Sequence, residues 1–164
     1  MYKNLIFIAI VFFTLNACKK TFDPGTTKAA KVANEWWANL YKDGQPVNST
    51  FAKIETYNTA TNNDSIWIDD LGNLWNFKIK AKFDATSLTF QATNAVSKNY
   101  LTPPPGNAYI TVTITEAKIM PLAAKSTTGV PTDSIYFKVV FSDDAATTYE
   151  IKGTGRTRWS PDDY

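Results

Sequence analysis

Trp75-Asn76-Phe77-Lys78-Ile79-Lys80-Ala81-Lys82-Phe83 decides the fold of this chain. Successive side chains of a strand point to opposite faces, so Trp75, Phe77, Ile79, Ala81 and Phe83 share one face. Asn76, Lys78, Lys80 and Lys82 take the other. A helix would scatter those lysines around its axis, whereas a strand gives one dry and one wet face. Ser134-Ile135-Tyr136-Phe137-Lys138-Val139-Val140-Phe141 repeats the pattern, with Ile135, Phe137, Val139 and Phe141 together. In residues 109–115, Ile110, Val112 and Ile114 alternate with threonines. The phase slips near Glu116, because Ala117 and Ile119 are odd-numbered, and a β-bulge there would shift it.

Weaker alternation predicts five more strands over residues 35–41, 50–57, 65–69, 87–93 and 148–155. Most of the links between strands are short and built of turn residues: Lys42-Asp43-Gly44, residues 58–64, Asp70-Leu71-Gly72-Asn73 and Ser142-Asp143-Asp144. Residues 103–106 (Pro-Pro-Pro-Gly) and 121–132 form longer connections, and residues 28–32 form one helical turn at most. Links this short join antiparallel strands. Eight such strands with one wet face and no covering helices must close or stack. The expected fold is therefore all-β, an eight-stranded antiparallel up-and-down barrel, with a two-sheet β-sandwich fitting the alternation nearly as well.

The amino terminus reads as an export signal. Lys3 precedes an eleven-residue apolar run over residues 5–15, followed by Asn16-Ala17-Cys18. That run is shorter than the roughly 17–25 residues that cross a hydrocarbon core. The layout is that of a bacterial lipoprotein signal, cut before Cys18, whose sulfur then carries diacylglycerol. The organisation expected is a cleaved signal over residues 1–17, a lipidated Cys18 with tether over 18–27, and a barrel over 28–164. The location that follows is the cell envelope, with the outer membrane favoured. Lys19 and Lys20 lie beside the lipid site, where each would add about 1 kcal/mol against anionic headgroups.

Several chemistries drop out. The chain has no histidine, and acylation of Cys18 leaves no thiol, so Ser-His-Asp, Cys-His and imidazole metal sites are excluded. No catalytic residue, metal site or cofactor site is read from the sequence. Without its signal the chain carries 16 basic and 15 acidic side chains, which gives no footprint for nucleic acid. The acidic pairs Asp69-Asp70, Asp143-Asp144 and Asp162-Asp163 sit at turns or in the tail and read as solvated. A carboxylate hydrolase would instead need two acids across a cleft, for example Glu116 or Glu150 with a second acid.

Five Trp, eight Tyr and ten Phe supply two arrangements. The first is an apolar lining of Trp75, Phe77, Ile79, Phe83, Phe90, Ile135, Phe137 and Phe141, which would fill the core or surround a small apolar ligand. The second is a clasp. First and last strands of a barrel are neighbours, so Trp36 and Trp37 would meet Arg156 and Arg158, the only arginines in the chain. A third arrangement, exposed Trp67, Trp159 or Tyr100, would suit a surface module that binds glycan or protein.

The residues Cys18-Lys19-Lys20, Asn34-Glu35-Trp36-Trp37, Leu74-Trp75-Asn76-Phe77, Asp133-Ser134-Ile135-Tyr136-Phe137 and the closing residues 153–163 carry a family resemblance. Together they resemble the bacterial lipoproteins called "lipid-binding putative hydrolase", which are similar to calycins, the lipocalin-like barrels. The resemblance implies a hydrophobic ligand inside the barrel and an arginine of the last strand packed on an early tryptophan. Its hydrolase half finds no counterpart among these residues. The function expected is that of a lipid-anchored binding protein for a lipid or fatty-acid-like ligand.

Overall fold

The computed structural model describes residues 26–98 and 109–164. Cys18, the signal, most of the tether, Tyr100 and the Pro-Pro-Pro-Gly segment lie outside the described residues. Strands run in the order β1 (Asn34–Lys42), β2 (Gln45–Pro46), β3 (Ala52–Asn58), β4 (Ser65–Asp69), β5 (Lys78–Asp84), β6 (Thr89–Val96), β7 (Thr111–Lys125), β8 (Pro131–Phe141) and β9 (Tyr149–Gly155). β2 is only a two-residue return from the end of β1. The other eight pair antiparallel, each with the next in sequence, and β9 pairs back to β1 with Trp36 opposite Gly155. That closing pairing makes an eight-stranded up-and-down barrel of lipocalin type and excludes the sandwich.

Closure depends on two glycines. A Cβ on Gly153 would stand 2.8 Å from both Ala38 Cβ and the Trp37 carbonyl oxygen. One on Gly155 would stand 2.7 Å from Thr132 Oγ1. Side chains at these two points would push β9 away from its neighbours.

Alternation fills the interior. β5 reads buried at Ile79, Ala81 and Phe83, and β8 at Ile135, Phe137, Val139 and Phe141. Among the described residues the apolar core runs from Ala29 to Ile151. Each large side chain buried this way contributes roughly 1.5–3 kcal/mol. The turn Lys28–Lys31 plugs one end of the barrel with buried Ala29, and the adjoining Val32 is buried as well.

Three strand boundaries differ from expectation. β5 begins at Lys78, so Trp75 and Phe77 belong to the β4–β5 loop. β7 runs 15 residues straight through the expected bulge, where pairing shifts between Thr115 and Lys118 and Glu116 has φ +49°. Residues 121–132, read as a loop, instead extend the β7–β8 hairpin, whose pairing continues to Lys125 opposite Pro131. The register shifts between Met120 and Ala124, where Leu122 has φ +52°, and the pairing resumes beyond.

Candidate functional site

The candidate site is the barrel interior and its two ends. At the end opposite the plug, Trp75 lies flat on Phe141, with ring centroids 4.6 Å apart and planes 1° apart. It also tilts against Tyr149 at 5.0 Å, and Phe77 meets Phe141 at 5.5 Å. Deeper in, Phe90 and Phe137 pack edge to face at 5.4 Å. Phe77, Ile79, Phe83, Phe90, Ile135, Phe137 and Phe141 are all buried, while Trp75 is half-buried and forms the roof. Its indole N–H donates to both carboxylate oxygens of Asp143, at 3.1 and 3.2 Å.

The roof is held by a residue expected in solvent. Asp70 is 1% exposed, and its carboxylate accepts backbone N–H groups from five residues. These are Gly72 (2.9 Å), Leu74 (3.2 Å), Trp75 (2.7 Å), Asn76 (2.7 Å) and Phe77 (2.8 Å). The loop needs this tie because Leu71 and Asn76 have φ of +54° and +60°, a region costly for side-chain-bearing residues. A buried carboxylate is tolerated when its lone pairs are met by donors. The reading of the acidic pairs as solvated thus fails at Asp70.

It fails at Asp69 and Asp162 too. Asp69 is 1% exposed, with the Tyr57 hydroxyl donating at 3.0 Å and Lys78 Nζ at 3.1 Å. Burial and the Asp69 carboxylate raise the Tyr57 pKa, against the lowering effect of Lys78. Asp162 is buried where the carboxy-terminal tail meets the β7–β8 hairpin. It accepts the Thr128 N–H at 2.9 Å and the Thr157 hydroxyl at 2.7 Å. Burial alone would raise its pKa, but these donors bring it down to about 2.

At the plugged end Trp36 and Trp37 part company, since neighbours on a strand face opposite ways. Trp36 points inward, 1% exposed, and its indole N–H donates to Thr56 Oγ1 at 2.9 Å. Thr56 in turn donates to the Val32 carbonyl, which ties the plug to the barrel wall. Trp37 faces outward under Arg156, whose guanidinium carbon lies 5.7 Å from the ring centroid. Arg156 also donates to Asp163 at 2.7 and 2.6 Å and to Glu35 at 2.9 Å. The Arg156 guanidinium, by these hydrogen bonds, holds Glu35 and Asp163 below the usual carboxylate range. Arg158 is exposed and reaches Glu35 at 3.6 Å. The structure therefore brings together Trp37, Arg156, Glu35 and Asp163, with exposed Arg158 at the edge of that group through Glu35, and leaves Trp36 apart from it. Nothing in the sequence marked Glu35 or Asp163 as partners, because their charges sit far from Arg156 along the chain or in the tail.

Two cavities touch the interior aromatics from outside. One of about 670 Å³ lies over β5, β6 and β7, bordered by Lys82, Asp84, Glu116 and Lys118, with Phe83 and Phe90 among its lining. Another, of about 530 Å³ beside Lys28 and Asp64, shares Phe83. Glu116 pairs with Lys138 at 2.7 Å and Glu150 with Lys152 at 2.6 Å, both on the outer face. The Tyr136 hydroxyl donates to Glu150 at 2.8 Å, and burial together with that carboxylate pushes its pKa up to about 12. Trp67 is half-buried, with Lys80 Nζ 5.3 Å from its ring centroid, whereas Trp159 is 55% exposed.

These features describe a closed barrel with an apolar interior, a loop-held aromatic roof and a plugged floor. No curated protein matches the chain. A family model described as "lipid-binding putative hydrolase" matches residues 21–160, most of the chain, and the protein belongs to that family.

Proposed function

We propose that this protein is a lipid-anchored carrier or sensor that holds a small hydrophobic ligand, a lipid or fatty-acid-like molecule, inside its barrel. Membership of a lipid-binding family supports a lipid ligand. The observation that carries the reading is the roof. Trp75 covers the interior from a loop rather than from a strand, so it moves aside without breaking a ladder hydrogen bond. An acyl chain entering there exchanges contacts with Phe77 and Phe141 for its own apolar burial. Asp143 and the Tyr149 hydroxyl, which donates to Asp144 at 2.8 Å, supply polar groups at the rim for a headgroup. Cys18, acylated after removal of residues 1–17, would hold the protein to the cell envelope, with the outer membrane the favoured location.

Native mass spectrometry of the chain from Lys19 onward, followed by organic extraction, tests the ligand. A co-purified apolar molecule near one per barrel is the expected result. An apo mass together with no uptake of an environment-sensitive apolar dye would sink the carrier reading.

A further inference from the structure

The plugged end of the barrel carries an apolar rim with nothing covering it among the described residues. There the β7–β8 hairpin exposes Pro121, Leu122 (70%), Ala123, Val130 (42%) and Pro131. Asp162 bonds both the hairpin, at Thr128, and the tail, at Thr157, so exposed Trp159 is presented at the same end. Cations accompany these side chains. Lys125 lies on the hairpin, Lys31 on the helical plug and Arg158 next to Trp159, all exposed. Lys28, also at this end, pairs with Asp64 at 3.1 Å, and Arg158 lies 3.6 Å from Glu35.

The chain enters the barrel at this end as well. The Lys28 N–H donates to Asn62 in the β3–β4 loop, which fixes the first described residues of the chain at this end. Eight residues separate Cys18 from Thr27, a reach of at most about 30 Å. An indole, two aliphatic side chains and three cations at one end match the headgroup layer. There aromatic rings sit at the boundary and cations meet anionic lipid. We infer that the rim formed by Leu122, Val130 and Trp159, flanked by Lys31, Lys125 and Arg158, rests in the surface of an anionic lipid bilayer. Which bilayer it meets rests on the anchoring reading above; the contact itself does not.

The test uses the acyl-free chain from Lys19 onward, which keeps every described residue, and vesicles of phosphatidylethanolamine and phosphatidylglycerol with brominated acyl chains. Bromine is expected to quench part of the tryptophan emission, and Trp159→Phe to remove that part. Leu122→Ser with Val130→Ser should weaken partition roughly tenfold at an unchanged melting temperature. No quenching, or quenching that survives Trp159→Phe, overturns the inference. So does a dimer in sedimentation that the serine pair dissolves, with no vesicle binding, because the rim would then join two copies. The mass of protein extracted from the envelope separates the two readings. An unmodified Cys18 with Trp159 still quenched removes the anchor and keeps the rim. An acylated Cys18 with Trp159 unquenched in the reconstituted protein does the reverse.

Discussion

At the scale of single residues, two buried aspartates do work that their turn-like settings conceal. Asp70 gathers five backbone donors, and removing it leaves all five without their acceptor inside a strained loop. Asp70→Ala is expected to cost about 3 kcal/mol or more, read as a lower urea midpoint, since an unmet buried donor costs about 1–3 kcal/mol. Asp162 acts through pH. Its folded pKa of about 2 lies below its ordinary 3.8, so its stabilisation is complete above that ordinary value. It is lost as pH falls toward the folded value. Glu35 and Asp163 shift the same way, so the melting temperature should fall steeply below about pH 4. Asp162→Asn should flatten part of that fall; an identical acid limb in the variant would rule out its role. The sequence showed each of these aspartates in a turn or tail, but neither its burial nor its donors. All but the Thr157 hydroxyl of those donors are backbone groups, which nearly every residue carries and no sequence pattern distinguishes.

At the scale of elements, β9 shows how little room the seam leaves. Gly153 lies opposite Ala38 on β1 and Ile135 on β8, so a methyl group would collide with β1 and press on Ile135 at 3.1 Å. Gly153→Ala is expected to destabilise by about 1–3 kcal/mol, as overpacking does, and to broaden near-ultraviolet dichroism from Trp36 and Trp37. Unchanged denaturation would mean that the seam relaxes without loss. Alternation located β8 well, and the phase slip at Glu116 correctly marked a bulge. It misplaced the start of β5 because Trp75 and Phe77 keep the inward parity while lying in a loop. Parity reports which way a side chain faces, not whether its backbone is paired.

At the scale of the whole molecule, the barrel is a closed wall with two unlike ends. The floor is fixed by Ala29, Val32 and the Trp36–Thr56–Val32 chain of hydrogen bonds. The roof is one indole stacked on Phe141 and tied to an exposed carboxylate. Trp75→Ala should therefore speed uptake of an apolar dye several-fold in stopped-flow fluorescence, while Trp36→Phe, at the floor, leaves the uptake rate unchanged. Equal rates in wild type and Trp75→Ala would move the entrance elsewhere, with the Phe83 side of the barrel next to be tried.

The sequence by itself determined the strand class, the antiparallel order and the identity of the apolar face, because these follow from period-two alternation and short turns, which are local. It also limited the chemistry, through the absence of histidine. Closure into a barrel rather than a sandwich was decided by the pairing of β9 with β1. Only the tertiary structure decided which tryptophan meets Arg156, which aspartates are buried and that Trp75 is a roof rather than a wall. Each of those depends on groups distant in sequence meeting across the closed sheet, and local periodicity carries no record of such meetings.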